Sequence, residues 1–254
     1  MRQVGEIMQS NFCSAILNSH CCKPVSSPCQ IDRAEIYRIL NEKAGVFAVC
    51  APAGYRKTSL LSGWAEQTNA KICWLSLDFD ANNYHRFWTY MITAFSLAYK
   101  KHPTEQLLRE LNEKTSQEFI MAFLNLLASN TVIILDNFHY VHDSKVISSV
   151  QTLCSELPAD SKLVISSRDK LPFSFAKLYA QRRFHTVSKE NLKFSVLEIA
   201  EAARVENIRI KAAEVGALWQ RTSGWPVAVQ LYLLLLKEHG KPNLALLPDP
   251  EGMH

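Results

Sequence analysis

The sequence predicts an α/β architecture: a parallel five-stranded sheet flanked by helices, followed by a small all-helical domain. Three observations carry that expectation. Apolar runs of strand length recur between helical patterns, at Val46–Cys50, Lys71–Leu77, Thr131–Leu135, Lys162–Arg168 and Phe184–Val187. The run Thr131-Val132-Ile133-Ile134-Leu135 shows no polar alternation, which marks a strand covered on both faces and hence a parallel sheet. From Ser195 onward the periodicity is helical only, over 196–204, 211–222 and 226–239. Strands alternating with helices and then helices alone imply two different packing regimes.

Taken in order, residues 1–28 are weakly periodic and end in Lys23-Pro24-Val25-Ser26-Ser27-Pro28, so they read as a poorly ordered leader closed by a linker. The sheet domain is expected over 29–190, the helical domain over 191–243, and a tail over 244–254. Ile36, Ile39 and Leu40 share one helical face just ahead of the first strand, with Asp32 as the expected N-cap. After the second strand, Asp78-Phe79-Asp80-Ala81-Asn82-Asn83 caps a long helix from Tyr84 to about Lys100, apolar along Phe87, Met91, Ala94, Phe95 and Ala98. Residues 102–115 are polar and read as a loop with partial helix. Helices are expected again over Phe119–Leu127 and Val146–Leu157.

The composition is that of an ordinary globular chain: 254 residues, 48% hydrophobic and 20% charged. A net charge of +4 with a pI near 8.6 suits a phosphate ligand or an acidic partner but falls short of a dedicated nucleic-acid binder. No apolar run approaches the roughly 18 residues of a membrane span, so no membrane partner is expected. Seven cysteines, an odd number, are scattered over the chain, and Cys13, His20, Cys21, Cys22 and Cys29 fit no paired zinc-ligand spacing. A reduced, cytoplasmic protein is the simpler account.

The first strand runs into Ala51-Pro52-Ala53-Gly54-Tyr55-Arg56-Lys57-Thr58, and an apolar helical segment comes next. Strand, tight loop, then Lys-Thr opening a helix is the layout of a P-loop, whose backbone N–H groups cradle phosphates. Lys57 would reach the terminal phosphates, and the Thr58 hydroxyl would ligate Mg²⁺. Against the usual G-x-x-x-x-G-K-[ST], Ala51 and Arg56 replace both glycines. Gly54 is the residue that takes a left-handed backbone without steric cost, and Arg56 must swing outward or contact phosphate itself. The loop alone supports two readings, a phosphate cradle and a strand–turn–helix corner that merely contains Lys-Thr.

Two further strands end in useful chemistry. The Val132–Leu135 strand ends in Asp136, the position of a Walker B acid that helps hold Mg²⁺. The Leu163–Ile165 strand ends in Ser166-Ser167-Arg168, whose guanidinium could read a γ-phosphate bidentately. Ligands of open parallel sheets bind outside the carboxyl ends of the strands. Asn137 stands where a second carboxylate would activate water, and an amide is a poor proton acceptor. The expectation is therefore binding with slow or absent turnover.

These motifs in this order resemble the nucleotide-binding domain of the MalT-like large ATP-binding LuxR-family transcription regulators, STAND-class P-loop NTPases. The likeness covers about residues 24–243. The family's loop is similar to A-P-A-G-Y-G-K-T, so Arg56 is its single departure, and Asn137 departs from a Walker B that usually reads Asp-Asp. Trp74-Leu75-Ser76-Leu77-Asp78 with Arg86-Phe87-Trp88-Thr89-Tyr90 is similar to the second strand and the helix after it. Ser166-Ser167-Arg168 matches the sensor strand, Leu192-Lys193-Phe194-Ser195 leads toward the helical domain, and Ser223-Gly224-Trp225-Pro226 matches the GxP signature. The resemblance implies Ala53 to Thr58 and Pro226 as nucleotide-binding residues, Pro226 bordering the adenine, with Lys57, Asp136 and Arg168 as the catalytic set. Arg33 falls in the segment the family places near the base, and fits a surface ion pair as well.

The resemblance further implies an ATP/ADP switch, at most a slow regulatory ATPase: ADP holds a closed state, and ATP favours a form that self-associates. Inducer and DNA would be met only through domains absent from this chain. A second hypothesis is a pseudo-NTPase interaction module in which Arg56 fills the phosphate site. A third, a metabolic P-loop kinase, lacks an acceptor-site motif after Asp136. His139 and His142 read as polar packing, Trp219 and Trp225 as helical-domain core, and Arg182, Arg183, Lys189 and Lys193 as solvated surface.

Overall fold

The computed structural model describes residues 20–25, 31–43, 45–100 and 104–240, without the side chain of His239. It resolves into two compact units. The first takes the chain to Lys23, Asn41–Cys50 and Thr68–Thr186; the second takes Pro24–Leu40, Ala51–Gln67 and everything from Val187. The expected tail over 244–254 and most of the expected leader lie outside the described residues. Within 1–28, His20 and Cys21 are placed: the His20 ring stacks 5.7 Å from Tyr90, and the buried Cys21 thiol donates to the Tyr90 carbonyl at 3.3 Å.

The first unit is built on the sheet. Strands β1 (Val46–Cys50), β2 (Lys71–Ser76), β3 (Thr131–Asp136), β4 (Lys162–Ser167) and β5 (Phe184–Ser188) lie in the order β2-β3-β4-β1-β5. All five strands expected from the sequence are present, within about a residue of their expected bounds. Pairing is parallel, β1 on β4 from Val46↔Leu163 to Cys50↔Ser167 and β3 on β4 from Val132↔Lys162 to Leu135↔Ile165. Their carboxyl ends, at Cys50, Asp136 and Ser167, therefore sit along one edge. Every residue of β3 is buried, which is why no alternation shows in its sequence.

Helices cover this sheet. Helix α3 (Tyr84–Tyr99) is capped by Asn83, which accepts from the Arg86 N–H at 3.0 Å, while Asp78 caps the short 3₁₀ turn ahead of it. Phe87, Trp88, Met91 and Phe95 enter the core, where Trp88 meets Phe119 edge-on at 5.0 Å. Residues 104–113 form a complete helix, α4 (Thr104–Glu113), where a loop with partial helix was expected. Its anchorage rests on Leu107 and Leu111, one turn apart and buried, while most other positions face water. Helix α5 (Ser116–Asn125) opens on a Thr115/Glu118 capping box, and α6 (Ser144–Glu156) on Asp143. A short α7 spans Ala176–Ala180.

Burial pushes the thiols of Cys73 and Cys154 up to about 12. Thiolate is the reactive form, so both are expected to resist iodoacetamide at pH 8 in the folded protein and to react once urea unfolds it. Cys22, which is exposed, is expected to react in both states. Peptide mass mapping of the alkylated sites checks this.

The second unit holds α1 (Ala34–Leu40), α2 (Lys57–Gln67), α8 (Lys189–Leu192), α9 (Val196–Val205), α10 (Ala212–Thr222) and α11 (Pro226–His239). Helix α1 starts at Ala34, with the Arg33 carbonyl accepting from Ile36 and Tyr37 at 2.9 and 3.0 Å. The cap position is thus Arg33, and Asp32 lies one residue outside it. Ile31, Phe194, Ile199, Val215, Leu218, Val229 and Leu233 form the core. Trp225 is buried as expected, but Trp219 is 42% exposed because Val215 and Leu218 already occupy the inward face of α10. No helix among the described residues is long and apolar enough to cross a membrane.

Candidate functional site

The loop after β1 spans Ala51–Arg56 and delivers Lys57 as the first residue of α2. Gly54 has φ of +81°, the left-handed backbone expected of it, and Arg56 has φ of +54° as well. The position before Lys57 is therefore one where glycine is free of cost and an L side chain loses about 1–2 kcal/mol. The loop needs two left-handed residues, not the single hinge read from the sequence.

Gly54 is also close-packed. A Cβ there would fall 2.7 Å from Val227 Cγ1 and 2.8 Å from Trp225 Nε1. The Val227 N–H donates to the Gly54 carbonyl at 3.2 Å. The start of α11 is thus bonded to and packed on the apex of the loop. Pro226 fills the first position of α11, where its missing N–H costs nothing. The Trp225 indole N–H, buried against Gly54, has no acceptor among the described residues. An unmet donor costs about 1–3 kcal/mol and fits a ligand rich in acceptor oxygens.

Lys57 folds back on its own loop, its ammonium donating to the carbonyls of Ala51 at 2.5 Å and Pro52 at 3.0 Å. Arg56 turns to α11, where its guanidinium donates to Gln230 Oε1. Tyr55 is buried, and burial raises its phenol above the usual range. Ala53 is exposed and Thr58 half-exposed on the first turn of α2.

Beside the loop lies a small cleft walled by Ile31, Tyr55, Leu60 and Phe194, with Arg33 and Arg56 on it. Arg33 is not on the surface. Its guanidinium donates to the carbonyls of Asn191, Leu192 and Lys193 at 2.9–3.0 Å, closing the end of α8. Its Nε lies 2.6 Å from a Glu198 carboxylate oxygen, near enough for charge pairing though not aligned as a hydrogen bond. Burial lowers the Arg33 pKa and the Glu198 charge opposes that shift.

In the first unit, Asp136 ends β3 fully buried. Its Oδ1 accepts from the Ser166 hydroxyl and, at 3.1 Å, from the Asn137 N–H. Asn137 is left-handed, with φ of +62°, a backbone that asparagine tolerates better than most residues. Arg168 comes directly after β4 and is exposed. His139 packs on Tyr140 with ring centroids 4.3 Å apart, and Arg183 donates to the Leu157 carbonyl at 2.6 Å. Lys193 pairs with Glu190 at 2.8 Å.

Ser166, read from the sequence only as part of the Ser166-Ser167-Arg168 strand end, orients Asp136. Two partners were not singled out from the sequence: Glu198 faces Arg33, and Gln230 holds Arg56. Only Gln230 left a legible signal, as the one amide in the apolar run Val227–Leu236.

A parallel five-stranded sheet flanked by helices, with a glycine-bearing loop from its first strand into a helix and helices at the C-terminus, is a P-loop NTPase-like fold. Among solved structures, a Walker-type ATPase of Pyrococcus abyssi is similar to this chain at a TM-score of 0.55 and 12% identity, over 84% of this chain and 69% of that one. The RuvB Holliday junction branch migration motor of Thermotoga maritima matches at a TM-score of 0.41 and 16% identity, over 83% and 61%, a likeness too distant to add to that. No family profile matches the sequence.

Proposed function

We propose that this chain binds ATP and ADP with Mg²⁺ and serves as a regulatory switch of the MalT-like LuxR kind, hydrolysing ATP slowly at most. The observation that carries this is the joining of the P-loop apex to α11 through Val227 N–H, Trp225 and Gly54. A loop that grips phosphate and is bonded to a helix has a direct means of reporting its occupant to that helix. A free-standing hydrolase has no need of such a link.

Each residue keeps the role its motif suggests. The backbone of Ala53 to Arg56 would receive the phosphates, Lys57 would exchange its loop carbonyls for phosphate oxygens, and Thr58 with Asp136 would hold Mg²⁺. The metal would supply charge neutralisation on the phosphates. Arg168 would meet the γ-phosphate, and Pro226 would border the base. Asn137 gives the site no second carboxylate to accept a proton from water, hence the slow turnover. Self-association in the ATP state, and contact with inducer and DNA through segments outside this chain, belong to the same reading.

Arg56 favours a second reading, a pseudo-NTPase module that has given up nucleotide. Titration of the purified chain with labelled ATP and ADP in Mg²⁺, parent beside Arg56→Gly, separates the two. Saturable binding by the parent with turnover well below the roughly 1 s⁻¹ floor of typical enzymes is expected. Binding by Arg56→Gly alone would establish the pseudo-NTPase, and binding by neither would remove both the site and the switch.

A further inference from the structure

Arg56 occupies a position where its own backbone is strained, and its side chain does not simply point to solvent. It lines the cleft together with Tyr55, Leu60 and Phe194, and it donates to Gln230, which is half-buried on the second turn of α11. The cleft has an apolar floor suited to a flat heteroaromatic ring, yet the open space in it is only about 20 Å³. That is room for one water and not for a purine. Of the two guanidiniums on its wall, Arg33 is fixed by three backbone carbonyls and Glu198. Arg56 donates to an amide side chain that can rotate.

We propose that the Arg56–Gln230 pair is a gate on this cleft, closed in the structure, and that the base of a nucleotide enters only when the guanidinium leaves Gln230. The inference rests on the nucleotide-binding reading above and adds its regulation. Because Gln230 lies on the helix whose start is bonded to Gly54, opening the gate also removes one of the ties between the loop and α11. A closed gate lowers apparent affinity by the fraction of molecules that stand open. The part of its strength that Gln230 supplies is that of one ordinary net hydrogen bond.

Two substitutions at Gln230 move the gate in opposite directions while leaving the P-loop sequence intact. Gln230→Leu removes the acceptor and is expected to tighten ADP by about three- to tenfold. Gln230→Glu pairs a carboxylate with Arg56 and is expected to weaken ADP by a similar factor. Inorganic tripolyphosphate has no base and should bind parent and both variants alike. Calorimetric titration with Mg-ADP and with Mg-tripolyphosphate reads all of this, with thermal melts to show each variant folded. Equal ADP affinity across the three proteins would overturn the gate while leaving nucleotide binding in place. Equal gains for tripolyphosphate would overturn the assignment of the gate to the base cleft. Failure of the parent and both variants to bind ADP would overturn the nucleotide reading and the gate together.

Discussion

Lys57→Ala is expected to lower affinity for Mg-ATP and Mg-ADP by about a hundredfold or more, with little change in the melting temperature of the unliganded chain. The ammonium donates to the main-chain carbonyls of Ala51 and Pro52, which a phosphate would replace with charged oxygens. A hydrogen bond to a charged group contributes about 1.5–3 kcal/mol, and a lysine between two phosphates makes more than one. Each 1.4 kcal/mol is a factor of ten in affinity. Pro52 is exposed, and truncating the lysine opens a path for water to the buried Ala51 carbonyl as well, so folding loses little. Lys57→Arg should recover only part of the affinity, since a planar fork does not fit the place of a compact cation. Filter binding with labelled nucleotide measures the first effect and differential scanning calorimetry the second. Unchanged affinity in Lys57→Ala would mean that the loop is a structural corner and not a phosphate cradle.

Much of the fold was readable because its signals are local. The unbroken, largely β-branched run Thr131–Leu135 and the apolar run Leu163–Ile165 reflect strands covered on both faces, and Asn83 caps its helix within the first turn. Helix α4 read only as partial helix because just two of its residues, Leu107 and Leu111, are buried. The site was readable in part for the same reason: Gly54, Lys57 and Thr58 announce themselves within eight residues. What they pack against does not. Arg33 reaches carbonyls some 160 positions away, and Arg56 reaches Gln230 at a separation of 174. The grouping of the P-loop and α2 with the C-terminal helices, and of β1 with the sheet, is likewise a product of long-range packing. Asn137 read as a lost carboxylate; its left-handed backbone supplies a second reason for its presence, one that only dihedral angles reveal.

Gly224→Ala is expected to be the most damaging single substitution in the second unit, costing about 3–5 kcal/mol and lowering the melting temperature by about 10 °C. Gly224 has φ of +73°, and a Cβ there would lie 2.3 Å from the Phe194 carbonyl oxygen and 3.1 Å from its nitrogen. Those are backbone atoms, so no rotamer change relieves the clash. Moving Phe194 would break its N–H bond to the Gly224 carbonyl, 2.7 Å long, and would disturb the buried ring beside Arg33. The left-handed backbone alone costs an alanine about 1–2 kcal/mol. Ser223, left-handed at φ of +48° and exposed, supplies the control: Ser223→Gly should be neutral or gain up to about 1 kcal/mol. The loss in Gly224→Ala reaches the candidate site as well, because this turn sets Trp225 and Val227 against Gly54. At temperatures where Gly224→Ala remains folded by circular dichroism, its affinity for Mg-ADP should fall while Ser223→Gly keeps that of the parent. A melting temperature within two or three degrees of the parent for Gly224→Ala would show that the segment at Phe194 can yield, and that the turn does not hold α11 on the P-loop.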